Sequence, residues 1–211
     1  SGLKVNVEKT NGILLGQGFP EIKIGNIHYK KSLKVLGIHL GQKSQELDEQ
    51  NMGITIELIR KLTKEWGERD LTVLGKVLIS KSMLLSQLIY KINVLHCDPR
   101  LIEGLQAIVH KFIWNGQDKI KRDLSYKDYK DGGIKAPNLI ATCKAIDCMW
   151  VKKFIHGKNH KWKMFFELEM ENIGPNEMLL GTLPRAVLSK IKTSSVKQNL
   201  KSWSEAYPEQ T

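Results

Sequence analysis

The sequence predicts an α+β fold that is mostly helical, with a small N-terminal antiparallel β-hairpin region before a helical bundle and a further helical segment. Up to about residue 40, apolar residues alternate with polar ones or form short runs between turn residues, as in short strands. From about Glu46 onward, apolar residues recur every three or four positions, as on one face of a helix. Hydrophobic residues make up 41% of the 211 residues, which is a globular composition.

Four short segments in the first 40 residues have the pattern of strands: residues 5–7, 13–15, 21–29 and 34–40. Within the third segment, Gly25-Asn26 separates two apolar stretches and predicts a hairpin with a tight turn. Within the fourth, Gly37 indicates a bulge or a close approach of the backbone in a single strand.

Helices are predicted near residues 46–66, 70–92, 99–115, 138–156, 160–171 and 184–192. Asp70 is the expected N-cap of the second helix, and Pro99 fits the first turn of the third helix after Asp98. Residues 116–138 are polar and rich in turn residues. We therefore expect three regions, 1–45, 46–116 and 117–211.

The formal net charge of +11 is concentrated in the middle of the chain. Residues 1–59 carry seven basic and six acidic side chains, and residues 164–211 carry five and six. Residues 111–163, in contrast, carry thirteen basic and five acidic side chains. A concentrated basic middle is suited to a phosphate backbone, although a solvated lysine-rich surface has the same composition.

The second predicted helix contains a candidate phosphate-binding stripe. Arg69, Lys76 and Lys91 would lie within roughly 60° of one another if one helix spans them. The stripe is equally consistent with the polar face of an amphipathic helix, whose apolar face would bury Leu74 and Leu85.

Several classes of enzyme site are missing from the sequence. It contains no Asp-Asp or Asp-x-Asp pair in a strand-turn-strand setting, no phosphate-binding glycine loop and no Gly-x-Ser-x-Gly turn. Asp128 and Asp131 lie among lysines, as in a solvated loop. No run approaches 18 apolar residues, so we expect no membrane-spanning helix and no membrane partner.

The cysteines do not predict a metal site. Cys143, Cys148, His156 and His160 have the right elements for zinc, but the spacer between the pairs is too short for a standard finger. The alternative, two core cysteines and two surface histidines, is the prediction, with no metal bound. Three cysteines in all indicate reduced thiols and an intracellular protein, cytoplasmic or nuclear.

Motifs in order along the chain resemble the reverse transcriptases of non-LTR (LINE-type) retrotransposons. Residues 1–10 (SGLKVNVEKT) resemble the segment after the catalytic aspartates, and residues 32–38 (SLKVLGI) resemble the primer grip. The segments that resemble the thumb are Trp66 and residues 69–79, 81 and 88–90. The segments that resemble the stretch just past the thumb are residues 112–116 and 131–137. Order and spacing match over about residues 1–155.

The resemblance implies roles by position. Lys9 matches a lysine that can approach the phosphates of the incoming nucleotide. Leu36 and Gly37 match the hairpin that holds the primer 3′ end, after which the helices from 46 to 115 match a thumb packed on the product duplex. The expected nucleic-acid contacts are Lys34, Leu36, Gly37, Arg69, Lys76, Lys81, Lys91, Lys119, Lys121 and Arg122.

The chemistry that the resemblance implies is RNA-templated DNA synthesis, with two Mg²⁺ ions held by aspartates of motifs that lie before residue 1. The chain is therefore expected to hold nucleic acid without catalysis or a cofactor of its own. Its expected partners are RNA, DNA or RNA–DNA hybrid, and the remainder of the polymerase. The alternative is a relic reading frame of a decayed retrotransposon with no independent activity.

Overall fold

The computed structural model describes residues 4, 6–14, 25, 27–41, 44–95, 97–158, 160–171 and 183–206. The chain divides into two compact units, Ser1–Lys61 (unit 1) and Leu62–Thr211 (unit 2). Short strands and the first turns of a long helix form unit 1, whereas the described part of unit 2 is helical. The predicted α+β, mostly helical fold is confirmed. The predicted division into three regions stays a prediction.

Unit 1 contains two pairs of strands and the start of helix α1 (Ser44–Gly67). Strand β1 (Asn11–Ile13) pairs in parallel with β2 (His28–Lys30), so a parallel pair accompanies the predicted antiparallel hairpin. Strand β3 (Ser32–Val35) pairs antiparallel with β4 (Ile38–Gly41).

The prediction of one strand over residues 34–40 from the local pattern is wrong, whereas the hairpin that the resemblance implied at Leu36 and Gly37 is present: these residues form a two-residue turn between β3 and β4. Their φ angles are 49° and 85°, and a turn with two positive φ values matches the twist of an antiparallel hairpin. Glycine adopts this conformation without steric cost, which accounts for Gly37 at the second position.

The predicted strand over residues 5–7 is also wrong, since Val7–Lys9 is a 3-10 helix. The Asn6 side-chain oxygen accepts a hydrogen bond from the Lys9 backbone N–H (3.2 Å), and such local bonds compete with strand pairing. The hairpin predicted around Gly25-Asn26 lies mostly outside the described residues.

The buried amide of Asn51 joins helix α1 to strand β4. Its Oδ1 accepts from the His39 N–H and its Nδ2 donates to the His39 carbonyl, each at 2.8 Å. Both backbone groups of this strand residue are thereby satisfied by one fully buried side chain. Ile38 and Met52 are buried beside the link.

Unit 2 continues with helix α2 (Val73–Ile79), a π-helical segment (Ser80–Leu84), helix α3 (Leu85–Ile92) and helix α4 (Pro99–Trp114). Thr72 caps α2 by accepting from the Gly75 N–H (3.1 Å), so the predicted N-cap at Asp70 is wrong. The Asp98 cap followed by Pro99 is confirmed.

The buried side chains of α2 and α3 recur at intervals of about four residues: Lys76, Val77, Ser80, Leu84, Leu88 and Ile92. Four residues exceed the 3.6 of one α-helical turn, so this stripe would rotate around a regular helix. The wider π turn offsets part of that rotation. Leu74 is 52% exposed and Leu85 is half-buried, so the prediction that both are buried is wrong.

The remaining helices are α5 (Arg122–Tyr126), α6 (Leu139–His156), α7 (Lys163–Met170), α8 (Arg185–Lys190) and α9 (Ser194–Ala206). Sequence inspection missed α5 and α9. Helix α9 packs along α6, and the buried Val196, Leu200 and Trp203 lie three and four positions apart. That spacing is a signal that the many polar residues of α9 obscured.

By length and composition, the helical stretch Val73–Ile92 is long and apolar enough to cross a membrane. The expectation of no membrane-spanning helix rested on the lack of an uninterrupted apolar run, and this stretch is interrupted by polar residues. About 28% of its most apolar window is buried within the protein. The buried face accounts for part of the apolar composition.

Candidate nucleic-acid interface

The tip of the β3–β4 hairpin carries the residues predicted to hold a primer. Leu36 is 85% exposed, although a leucine at positive φ is strained, by about 1–2 kcal/mol. Lys34 is exposed on β3. A large apolar side chain held in a strained, exposed turn is typical of a functional position rather than of one selected for stability.

Lys9 ends the 3-10 helix of unit 1 and is exposed. Its backbone is fixed by Asn6, while its ammonium group faces solvent. The predicted contact with a nucleotide phosphate stays a prediction.

In unit 2, Arg69 lies before α2 rather than on it. Its guanidinium carbon lies 4.2 Å from the centre of the half-buried Trp66 ring, a cation–π geometry. Stacking of this kind leaves the edge of the guanidinium able to donate to an anion.

Lys76 is not available to a phosphate, so the prediction that it contacts nucleic acid is wrong. Its side chain is buried, and its Nζ donates to the side-chain oxygen of Asn115 and lies 5.6 Å from the centre of the Phe112 ring. Asn115 is the left-handed C-cap of α4, so the lysine neutralises the negative end of that helix. Because Lys76 points inward and Arg69 is off the helix, the predicted stripe does not form.

Lys81 and Lys91 lie on the continuous helical stretch of α2, the π-helical segment and α3, Val73–Ile92, which we call the α2–α3 rod. Lys81 is exposed in the π-helical segment, whereas Lys91 is half-buried in the last turn of α3. The exposed face of the rod is largely apolar, with Leu78 66% exposed and Tyr90 46% exposed. This face can pack on sugars and bases through apolar contact but carries little charge.

Lys119 and Lys121 in the loop between α4 and α5, and Arg122 at the start of α5, are all exposed. Asp118 lies in the same loop, where its Oδ2 accepts from Arg122 Nε at 2.8 Å. Its Oδ1 lies 3.3 Å from Nδ1 of the fully buried His110. Burial raises the pKa of Asp118, but the hydrogen bond and charge of Arg122 outweigh this and hold that pKa below 3.8.

Sequence inspection missed His110 and Asp118. His110 lies in the buried stripe of α4 with Gln106 and Val109, and its ring packs edge-to-face on Tyr126 with 5.6 Å between centres. Burial lowers the pKa of His110 below 6.5, against an opposing effect of the Asp118 charge. The spacing of Asp118 and Arg122 was the available signal, since opposite charges four residues apart often pair.

Exposed cations outnumber exposed acids in the part of unit 2 that begins with the last turn of α4. Among the described residues from 111 to 161, the exposed acids are Asp118, Asp123 and Asp131. The exposed cations there are Lys111, Lys119, Lys121, Arg122, Lys127, Lys130, Lys144, Lys152, Lys153, Lys158 and Lys161. Exposed cations thus outnumber exposed acids by eleven to three over these described residues.

Lys163 and Lys144 have structural partners, and Lys144 is among the eleven exposed cations. Lys163 is buried and donates to the Phe154 and Gly157 carbonyls (2.6 and 2.7 Å), which caps the end of α6. Lys144 pairs with Glu205 at 2.6 Å on the surface.

The described residues contain no group of three or more histidine, cysteine or acidic side chains that could hold a metal ion. Cys143 and Cys148 are half-buried thiols. Burial raises the pKa of Cys143 to about 12, so this thiol stays protonated at neutral pH.

The chain is similar to a transposon protein. It is 20% identical over 215 aligned residues to the "Transposon TX1 uncharacterized 149 kDa protein" of Xenopus laevis. The alignment covers 97% of this chain but spans only 16% of the length of that relative. No protein-family model matches the chain. The similarity supports a transposon origin, in agreement with the resemblance to LINE-type elements.

Proposed function

We propose that this chain is the primer- and template-holding part of a LINE-type reverse transcriptase, an RNA-directed DNA polymerase. In this role it grips nucleic acid without sequence preference, and the polymerisation chemistry belongs to other parts of the enzyme. The observation that carries the proposal is the excess of exposed cations between residues 111 and 161. Such a surface binds the phosphate backbone, which is the same for every sequence.

Three further features support this role. Three of the four residues from Lys119 to Arg122 are exposed cations: Lys119, Lys121 and Arg122. The hairpin tip presents Leu36 as an exposed apolar contact. The alignment with a transposon protein runs along nearly the whole chain, which favours an element-encoded activity over an unrelated basic domain.

The experiment is a binding titration with a fluorescent RNA–DNA hybrid, with the chain kept whole. Replacing Lys119, Lys121 and Arg122 with alanine is expected to weaken binding and to flatten its dependence on salt by about one unit of slope per lost phosphate contact. Affinity should fall to a similar degree for hybrids of unrelated sequence.

The matched control replaces Lys190, Lys197 and Lys201, three exposed lysines in the near-neutral C-terminal part, with alanine. Both variants lose three positive charges, so a difference between them reports position rather than net charge. If both variants lose the same affinity, the binding is attraction by net charge and is not localised to Lys119, Lys121 and Arg122. A folded chain that binds no hybrid at low salt would instead support the alternative of a relic without activity.

A further inference from the structure

We propose that Asp118 is a positioning residue that orients the guanidinium of Arg122 towards a backbone phosphate. This inference rests on the proposed nucleic-acid binding. It assigns a role that favours the binding of an anion to an acidic side chain that lies among the exposed cations of residues 111–161.

The geometry fixes the carboxylate on two sides. One oxygen of Asp118 accepts from Arg122 Nε at 2.8 Å, and the other faces Nδ1 of His110 at 3.3 Å. The side chain of His110 has no exposed surface, while those of Asp118 and Arg122 are 26% and 47% exposed. The carboxylate therefore lies between a fully buried ring, which it approaches without a hydrogen bond, and an arginine at the surface.

The bond through Nε has a consequence for Arg122. It uses the inner nitrogen of the guanidinium and leaves the outer edge, formed by the two terminal nitrogens, to donate to a phosphate. A planar fork held in one orientation loses less conformational freedom when a phosphate binds, and it matches two phosphate oxygens at once. Asp118 thus acts on binding through Arg122.

Stabilisation of the fold is a weaker explanation for the arrangement. Ion pairs between partly exposed groups contribute little to stability. Asp118 also precedes α5, so the pair is not one of the regular supports within a helix. The ring of His110 packs edge-to-face on Tyr126 of α5, and the carboxylate of Asp118 lies 3.3 Å from that ring, next in sequence to Lys119.

A pair of matched variants separates orientation from charge. Asp118→Asn and Asp123→Asn each remove one negative charge within five positions of each other, and Asp123 is exposed at the start of α5. Electrostatics alone predicts that each leaves hybrid binding unchanged or tighter. If Asp118 positions Arg122, Asp118→Asn weakens binding by about threefold to tenfold, whereas Asp123→Asn does not.

Two further variants test whether the effect passes through Arg122. Arg122→Lys retains the charge but lacks Nε, and we expect it to weaken binding as much as Asp118→Asn does. In the Arg122→Lys background, Asp118→Asn should have no additional weakening effect. Circular dichroism melting shows whether each variant folds. If Asp118→Asn does not fold, Arg122→Lys alone decides, and unchanged binding by that variant overturns the inference.

The outcomes also distinguish this inference from the proposed function. If the unmodified chain binds hybrid but Asp118→Asn behaves like Asp123→Asn, the positioning role is wrong and the grip remains. If the unmodified, folded chain binds no hybrid, the proposed function is wrong and the inference falls with it.

Discussion

Units 1 and 2 offer a nucleic acid two different kinds of surface. In unit 1, the candidate contact is the exposed apolar Leu36 on a strained turn. In unit 2, the candidate contact is charge, concentrated after α4 and organised around Asp118 and Arg122. Apolar contact at one point is suited to holding the end of a strand, whereas dispersed charge is suited to holding its length.

Each unit combines a buried amide bonded to backbone, Asn51 or Gln106, with buried apolar side chains. In unit 1, one buried amide, Asn51, joins helix to strand through two hydrogen bonds. In unit 2, helices pack through stripes of apolar side chains such as Leu84, Leu88 and Leu105, each 1% exposed. Disrupting each device should therefore affect stability by a different physical mechanism.

The largest effect is expected in unit 2, from Leu88→Ala. This side chain is buried, so its loss should leave a cavity and lower the free energy of unfolding by about 2–5 kcal/mol. Leu74→Ala is the matched control, because Leu74 lies on the exposed face of the same rod and should change stability by less than about 0.5 kcal/mol. Urea denaturation measures both. Equal effects would mean that the buried and exposed faces are wrongly assigned.

In unit 1, Asn51→Ala should lower the free energy of unfolding by about 2–3 kcal/mol, because two backbone groups of His39 lose their partner. Gln50→Ala, at an exposed neighbouring position of α1, serves as the control. Hydrogen exchange at the His39 amide gives the local readout. Unchanged protection of that amide would contradict the role assigned to Asn51.

The stability of unit 2 should fall as the pH drops below about 6.5. Unfolded His110 takes up a proton near its usual pKa of 6.5, whereas burial lowers that pKa in the folded chain, so protons favour unfolding. The loss is at most about 1.4 kcal/mol per pH unit, the limit for one proton. Thermal melting between about pH 5 and 7 measures it.

His110→Phe keeps the ring contact with Tyr126 and should flatten that pH dependence. His156→Ala, at an exposed position, should leave it intact. A pH dependence that survives in His110→Phe would assign the titration to another group.

The smallest expected effect on stability comes from replacing Leu36, a change that should stabilise the fold but weaken binding. Leu36→Asn should stabilise the hairpin by up to about 1 kcal/mol, because asparagine tolerates positive φ and Asn-Gly is favoured in such turns. The same change should weaken binding to a hybrid with a recessed primer end by roughly fivefold, since an apolar contact is lost. A blunt hybrid of equal length should bind equally well before and after the change. If the recessed hybrid also binds unchanged, Leu36 is not the primer contact.

Most of the helical fold could be predicted from periodicity, because apolar spacing reports which face is buried. The Asp98-Pro99 start placed α4 almost to the residue, since the helix predicted over 99–115 is observed over Pro99–Trp114. The Leu36-Gly37 turn could not be predicted in the same way, because leucine is uncommon at positive φ and the local pattern is that of a continuous strand. Helix α9 was missed because its polar residues obscured Val196, Leu200 and Trp203.

The candidate site was less predictable than the fold, because the availability of a charge depends on tertiary contacts. Lys76 and Lys119 are both lysines in the basic part of the sequence, but the first is buried against Phe112 and Asn115 while the second is exposed. Glu169 likewise reads as a surface acid. It instead accepts from the Lys192 and Thr193 amides and the Thr193 hydroxyl, and the Thr193 hydrogen bond lowers its pKa below 4.5.

The central claim, a grip on the nucleic-acid backbone, is tested most directly by a salt titration of the intact chain with two RNA–DNA hybrids of unrelated sequence. The claim predicts that log affinity falls linearly with log salt, with the same steep slope and nearly the same affinity for both hybrids. Affinity that is insensitive to salt, or that differs by more than about tenfold between the sequences, would contradict it.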